Sequence, residues 1–338
     1  MHPVPRAACA LILVALGAAA CDGCDRPSED ELGRGAPPAE SVGSGAGDDP
    51  APSLSGGPSP SSIAPEPPAP RLVHRCPAGM ALIAPAEEPT MRFCIDRWEA
   101  TVVDDRGGAL LSPYWAPNGK RARYLHEVWT KRVADTTEGT ELARATPLPD
   151  LPAWQRSPSL VPRAAEPKAG VVPQGYVSGE DARLACERAG KRLCLEAEWR
   201  RACRGEENRD FPYGDAYEQG TCNVFREAHP GVLLYENPSI NHTDPRFNRV
   251  GPKKAPLLRR TGATPRCGSR WGEVEVFDMV GNLDEWVDDP EGTFVGGFYA
   301  RAKKDGCAAT VRSHGFDYAD YSTGFRCCAG VELVPEEG

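Results

Sequence analysis

Alternation of apolar and polar residues predicts strands after the first quarter of the chain. Residues 93–101 read Phe-Cys-Ile-Asp-Arg-Trp-Glu-Ala-Thr, in which apolar and polar side chains largely alternate. Successive side chains of a strand point to opposite faces, so this pattern is typical of a half-buried strand. The apolar run within residues 76–84 predicts a second, shorter strand. We therefore expect residues 76–101 to open a folded domain with two strands.

Helical periodicity is visible in one segment of the next region. In residues 121–133, Leu125, Val128 and Trp129 fall near one face of a helix. The rest of residues 104–172 mixes proline, tryptophan and charged residues without a clear period. This region predicts one helix within a variable insertion.

Two further helices are predicted from their start and stop residues. Ser178 is followed by Asp181 three positions on, which is a capping-box pattern. Alanine and leucine follow, and Gly190 is a typical helix end. A second helix is predicted to begin at about Leu195.

The first 20 residues predict an export signal. Residues 7–20 are almost wholly apolar and follow Arg6. The run is shorter than the roughly 20 apolar residues that span a bilayer, so it is typical of a secretory signal. Small residues precede Cys21, as in the lipobox of bacterial lipoproteins, although Ala18 stands where leucine is usual. We expect lipidation at Cys21, with a plain thiol after ordinary signal cleavage as the alternative.

Residues 21–75 predict a disordered linker. The segment from Asp22 to Arg75 contains no Phe, Tyr or Trp and is rich in Pro, Gly, Ser and Ala. Such a segment cannot bury enough apolar surface to offset its chain entropy, and its prolines favour an extended spacer. We therefore divide the chain into a signal peptide (1–20), a lipidated linker (21–75) and one folded domain (76–338).

The charge of the chain argues against a nucleic-acid partner. The formal net charge is −9, of which the linker carries −5 from nine acidic and four basic residues. The folded domain is mildly acidic as well, and no basic stripe runs along it. A nucleic-acid-binding surface needs such a stripe or patch.

Cysteine usage favours disulfide bonds. Ten of the thirteen cysteines lie in residues 76–338, and an even number in an exported chain favours disulfides over metal sites or free thiols. Cys76 and Cys94 flank the predicted strand pair and could link it. Adjacent Cys327 and Cys328 could form a redox pair, but we prefer two separate structural bonds. Counting alone does not choose among the other pairings.

Residues 276–287 read Val-Phe-Asp-Met-Val-Gly-Asn-Leu-Asp-Glu-Trp-Val and concentrate side-chain oxygens in one loop. Gly281 allows a backbone turn with positive φ. Carboxylate, amide and carbonyl oxygens are the ligands that calcium takes together. The loop predicts either a calcium site or an acidic surface turn, and composition alone favours the turn.

This loop resembles the Gly-Asn-x-x-Glu-Trp signature of the formylglycine-generating enzyme (sulfatase-modifying factor) family. Residues 190–199, Gly-Lys-Arg-Leu-Cys-Leu-Glu-Ala-Glu-Trp, are similar to another block of that family, and residues 324–327, Gly-Phe-Arg-Cys, to its closing motif. The resemblance covers residues 80–101 and residues 176 to the end. It implies an α+β fold of the formylglycine-generating-enzyme, C-type-lectin-like kind, with little regular secondary structure and disulfide staples.

The resemblance also implies bonds and ligands. It pairs Cys186 with Cys327 and Cys203 with Cys307. The remaining cysteines then pair by elimination as Cys76–Cys94, Cys222–Cys267 and Cys194–Cys328. It further implies structural calcium held by the side chains of Asp278 and Glu285 and the carbonyls of Gly281 and Leu283, with a second site that would use Asn223 and Val224.

Catalytic members of the family need two further cysteines, which bind copper(I) as thiolates and oxidise a substrate cysteine with dioxygen. The corresponding run here, residues 296–306, contains no cysteine. Phe298 replaces the usual serine, and Arg301 stands about where the first thiolate would be. Thiolate is the fitting ligand for a soft copper(I) ion. We therefore expect no copper site and no catalytic residue.

Two functions follow from these patterns. The preferred one is a non-catalytic binding or structural module on a lipid tether, with a protein or glycan ligand in the bacterial cell envelope and no nucleic-acid partner. The alternative is a formylglycine-generating oxidoreductase that acts on a cysteine of sulfatase-type proteins. Accessible thiols distinguish them, because only the enzyme needs them.

Overall fold

The computed structural model describes residues 71–336, apart from residues 105, 136–137, 158–162, 226–227 and 302. The predicted signal, Cys21 and nearly all of the linker lie outside the described residues. The described strands are β1 Leu72–Arg75, β2 Met80–Ile83, β3 Phe93–Asp96, β4 Ala100–Asp104, β5 Arg163–Pro167, β6 Arg192–Leu193, β7 Gly268–Trp271, β8 Val274–Phe277, β9 Asp284–Trp286, β10 Phe294–Val295, β11 Thr310–Val311, β12 Thr323–Phe325, β13 Cys327–Ala329 and β14 Glu332–Pro335. The described helices are α1 Gly119–Ala134, α2 Glu141–Ala145, α3 Gly179–Arg188, α4 Glu196–Arg204 and α5 Pro230–Tyr235.

Two four-stranded sheets lie at the centre of the described part. One has the order β2-β3-β13-β6 and is antiparallel throughout. The other has the order β11-β10-β9-β12, in which β9 and β12 run parallel. Strands β9 and β13 come from the signature loop and the closing motif, so both motifs lie in the core. Short strands, helices and long connections confirm the expected α+β fold with little regular secondary structure.

Five disulfides join the core: Cys186–Cys327 and Cys203–Cys307, which the resemblance implies, and Cys76–Cys94, Cys194–Cys328 and Cys222–Cys267, which remain by elimination. Adjacent residues of a strand face opposite sides of the sheet. Cys327 accordingly packs in one apolar cluster and Cys328 in another. This alternation explains how neighbouring cysteines form two separate bonds. Such disulfide density is typical of exported proteins.

The predicted strand over residues 93–101 is broken in the structure. Strand β3 ends at Asp96 and β4 begins at Ala100. Glu99, between them, is buried and accepts a hydrogen bond from the Leu283 backbone N–H at 3.0 Å. The chain leaves the strand conformation between β3 and β4, and this break places the Glu99 carboxylate against the loop that contains Leu283.

The folded part also begins earlier than its composition indicated. Strand β1, which lies inside the predicted linker, pairs antiparallel with β14. The register joins Leu72 to Pro335 and Arg75 to Glu332. The end of the predicted linker, residues 72–75, is therefore part of a sheet.

The insertion forms its own small apolar cluster around α1. The side chain of Asn118 caps this helix by accepting from the backbone N–H groups of Lys120 and Arg121 at 3.1 and 3.2 Å. Leu125 and Trp129, one turn apart, are buried on the face that the periodicity predicted.

The two motif helices follow the start signals in the sequence. Ser178 caps α3 through a hydrogen bond from the Asp181 backbone N–H at 3.1 Å. Helix α4 begins after Leu195, whose backbone N–H donates to Glu198 at 2.9 Å. None of the described helices has the length and apolar character needed to cross a membrane.

Candidate functional site

The signature loop packs backbone against backbone with the segment at Asn223. Gly281 has φ of +83°, and a Cβ placed there would lie 2.3 Å from the Asn223 carbonyl oxygen, so only glycine fits. The Asn282 backbone N–H donates to that same oxygen at 2.9 Å. Asn223 in turn donates from its side chain to Asn282 Oδ1 at 2.9 Å. Asn223 and the buried Val224, predicted from the resemblance, thus lie directly against the loop.

The buried carboxyl group of Glu99 holds this loop through two hydrogen bonds. Glu99 Oε2 accepts from the Asn282 side-chain amide at 2.5 Å, and Glu99 Oε1 accepts from the Leu283 backbone N–H. Burial raises the pKa of Glu99 well above its usual range, and the nearby carboxylates of Asp278 and Glu285 raise it further. Burial therefore favours the protonated form of Glu99.

Arg326 supplies the buried positive charge that contacts the signature loop. It is fully buried, and its guanidinium donates to both oxygens of Glu285, at 2.6 and 2.7 Å. Trp199 adds a third hydrogen bond to Glu285 Oε2 at 2.7 Å. Arg326 also donates to the carbonyls of Asp96 and Phe277. These contacts connect the closing motif, α4 and the signature loop.

The predicted calcium ligands have protein partners in this arrangement. Both oxygens of Glu285 face a guanidinium, which would repel a cation. Asp278 accepts from the Gly262 backbone N–H at 2.6 Å and from the Thr264 hydroxyl at 2.7 Å. Among the described residues, no three His, Cys, Asp or Glu side chains are arranged around a common metal position. The carboxylates as they stand do not fit a calcium ion, and calcium stays a prediction of the resemblance.

A chelation experiment separates these two accounts of the loop. Calcium held by Glu285 would make the thermal midpoint of the wild type fall in EDTA, and Glu285→Ala would remove that sensitivity. The Arg326 contacts predict no change on chelation in either protein. We expect the second result in calorimetry of protein purified without chelator.

Residues 296–306, where the resemblance places the copper thiolates of catalytic family members, carry an arginine and an aromatic residue instead of cysteine. Arg301 forms an ion pair with Asp284, the first residue of β9. Its guanidinium also lies 5.3 Å from the ring of Phe298, at cation–π distance. Asp284 is buried, whereas Arg301 and Phe298 are half-buried. The Arg301 guanidinium, paired with Asp284, and the Phe298 ring therefore occupy the positions corresponding to the copper segment.

Further polar groups surround the Arg301–Asp284 pair. Asp320 accepts from the Tyr318 hydroxyl at 2.6 Å and from the Ser322 backbone N–H at 2.8 Å. The Gly231 N–H donates to Nδ1 of His229, which places the proton of the neutral ring on Nε2. His229 Nε2 then donates to the Tyr321 hydroxyl at 2.9 Å. Burial lowers the pKa of His229, which favours this neutral form.

No thiol is available in this region of the described structure. All ten cysteines of the described residues are in disulfides. The nearest in sequence, Cys307, is bonded to Cys203. Copper(I) chemistry of the family type needs two thiolates, so these side chains cannot supply it.

Asp284 gives the site a testable pH dependence. Burial raises its pKa from an ordinary 3.8 to about 7, although the Arg301 guanidinium opposes the rise. The folded state then keeps a proton that the unfolded chain releases above about pH 4. The stability from this group is therefore fully present below that pH and is lost as the pH rises towards about 7.

Denaturant titrations over this pH range test the assignment. We expect the unfolding free energy of the wild type to fall relative to that of Asp284→Asn as the pH rises from about 4 to about 7, and the two curves to run parallel above it. Asp288→Asn, at a half-exposed carboxylate, is the matched control. Parallel pH curves for wild type and Asp284→Asn between about pH 4 and about pH 7 would contradict the raised pKa.

Sequence reasoning found part of this site. The sequence singles out Phe298 and Arg301 as replacements, and Asp284 is one of the oxygen-bearing residues of the loop over residues 276–287. It did not find Asp320 or Tyr321, because they are separated in sequence from the loop and lack a recognisable spacing. A cluster of Tyr and Asp residues just before the closing motif, residues 317–321, was the available signal.

Comparisons with known proteins agree with the motifs. The family model described as the sulfatase-modifying factor enzyme 1-like domain matches residues 126–330, more than half of the chain. The formylglycine-generating enzyme of Bos taurus is 29% identical over 162 residues, which cover 48% of this chain and 40% of that protein. A second Bos taurus protein, named inactive C-alpha-formylglycine-generating enzyme 2, is 26% identical over 178 residues, covering 49% and 52%. The matched part thus spans about half or less of these relatives.

Solved structures with a similar arrangement include a major tropism determinant, the U1 variant, and PvdO from Pseudomonas aeruginosa. The first has a TM-score of 0.36 and 13% identity, and covers 78% of this chain and 55% of that one. The second has a TM-score of 0.32 and 16% identity, and covers 77% and 94%.

Proposed function

This chain belongs to the sulfatase-modifying factor enzyme 1-like family, and we propose that it is a non-catalytic binding domain of that family, held in the cell envelope by a lipid. One observation carries the proposal. Where the resemblance places the first copper thiolate, Arg301 pairs with Asp284, and every described cysteine is in a disulfide. A guanidinium cannot ligate copper(I), because it has donors only.

Two further facts support this proposal. One relative in the same family carries a name that calls it inactive. The core motifs are retained here as structure: Glu285 pairs with Arg326, and the Gly-Phe-Arg-Cys cysteine joins α3. The scaffold contacts are thus retained, while the position of the first copper thiolate carries an arginine.

A turnover assay tests the proposal. The full chain, supplied with copper(I), dioxygen and a reductant, is expected to leave a Cys-x-Pro-x-Arg peptide unmodified in mass spectrometry. A catalytic family member under the same conditions provides the positive control. Formation of formylglycine by this chain would contradict the proposal and establish the oxidoreductase.

Attachment to the membrane is a separate part of the proposal, and it rests on the sequence around Cys21. We expect the wild type in the membrane fraction, with a lipid mass on the N-terminal peptide. Cys21→Ser is expected to release the protein or to prevent its maturation. A wild-type protein that is recovered without lipid mass would contradict the anchor.

A further inference from the structure

A cleft lies beside the loop that replaces the family's copper segment. Its volume is about 510 Å³, and it is lined by residues that include Tyr217, Gln219, Val224, Phe225, Pro252 and Arg259. Pockets of this size accommodate small ligands. We call it the Lys304 cleft, because Lys304 lies over two of its rings.

Lys304 is fixed at the margin of this cleft by aromatic rings. Its ammonium nitrogen lies 4.5 Å from the ring centroid of Phe225 and 4.7 Å from that of Tyr217. The two rings meet edge to face at 5.9 Å. Lys304 itself is exposed, so its N–H donors remain available to a ligand. Cation–π contacts thus orient the charge without neutralising it.

The cleft is cationic within an acidic protein. Arg259 lines it, and the exposed Lys253 and Lys254 follow Pro252, another lining residue. Among the described residues that line the cleft, none is a carboxylate. The whole chain nevertheless has a net charge of −9. A local positive potential in such a chain selects for an anionic ligand.

Three of the nine described non-glycine residues with positive φ lie at or next to this cleft. Phe225, Lys253 and Lys254 have φ of 54°, 54° and 63°, a region that residues other than glycine adopt at a cost. Such strain persists where the surrounding structure holds it, and it clusters at ligand sites.

We propose that the Lys304 cleft binds an anionic carbohydrate, a saccharide that carries uronic acid groups. This inference rests on the proposed binding function and specifies its ligand class. The exposed part of the Phe225 ring offers an apolar surface to the C–H face of a sugar ring, and Gln219 can exchange hydrogen bonds with hydroxyls. Lys304 and Arg259 supply charge-assisted hydrogen bonds to a carboxylate. A cationic ligand is disfavoured, because Lys304 already occupies the ring position and no lining carboxylate would balance it.

Titration calorimetry with tetragalacturonate tests this assignment, using the full chain at low and physiological salt. Its methyl ester, which has the same shape without the charge, serves as the matched ligand. We expect binding of the acid, weakened by salt, and at least a tenfold weaker response to the ester. Lys304→Gln is expected to lower affinity for the acid at least tenfold, and Arg259→Gln likewise.

Three results would overturn the inference. They are no binding of the acid, equal binding of acid and ester, and unchanged affinity in Lys304→Gln. An oligoglutamate that competes as well as the saccharide would reassign the cleft to acidic peptides. Lys120→Gln, at an exposed lysine of α1 outside the cleft, controls for net charge. None of these results depends on thiols, so failure here leaves the turnover assay of the proposed function unaffected.

Discussion

Replacing Arg326 with methionine is expected to lower the free energy of unfolding by about 3–5 kcal/mol. Arg326 is fully buried, and it is the cation that contacts both oxygens of Glu285. Methionine fills a similar length but leaves that carboxylate buried without its partner. The carbonyls of Asp96 and Phe277 lose their donors as well. Urea titration of the disulfide-intact protein, followed by tryptophan fluorescence, measures the loss.

Two comparisons make the result specific to the buried pair. Arg183→Met removes a surface pair with Asp288 whose side chains are each 37% exposed, and it should cost at most about 1 kcal/mol. Adding Glu285→Gln to Arg326→Met should restore part of the loss, because it removes the unpaired charge. A loss below about 1 kcal/mol in Arg326→Met would show that the pair does not hold the loop and the closing motif together.

Local patterns were sufficient for the helices. Helix α1 was predicted from the spacing of Leu125 and Trp129, and α3 from Ser178 and its capping partner. Both signals act within one or two turns of the same helix, so a single sequence contains them. The disulfide pairing came instead from the resemblance, since ten cysteines alone leave it open.

Long-range contacts explain what the sequence did not reveal. The break at Glu99 depends on hydrogen bonds to Asn282 and Leu283, more than 180 positions away. Strand β1 lies in a segment whose composition favours disorder, and it is ordered through pairing with β14 near the other end of the chain. Neither contact produces a hydrophobic periodicity in the segment that it stabilises, so neither could be predicted from that segment alone.

The candidate site shows the same division. The absence of cysteine from residues 296–306 could be read directly, and it predicted the loss of copper chemistry. The ion pair that takes the place of the copper site could not be predicted from the sequence, because Arg301 and Asp284 are 17 positions apart and no spacing motif joins them. The Lys304 cleft likewise combines three separate segments, around Tyr217, Arg259 and Lys304.

The state of the ten cysteines in residues 76–338 tests the central claim most directly. The full chain is denatured without reductant, alkylated, digested and analysed by mass spectrometry, so that each cysteine is reported separately from Cys21 and Cys24. A second sample, reduced before alkylation, shows that every one of the ten can react. We predict no alkylation of these ten cysteines in the unreduced sample, because the five disulfides account for all of them. Alkylation of two domain cysteines that also bind copper(I) before denaturation would contradict the non-catalytic account.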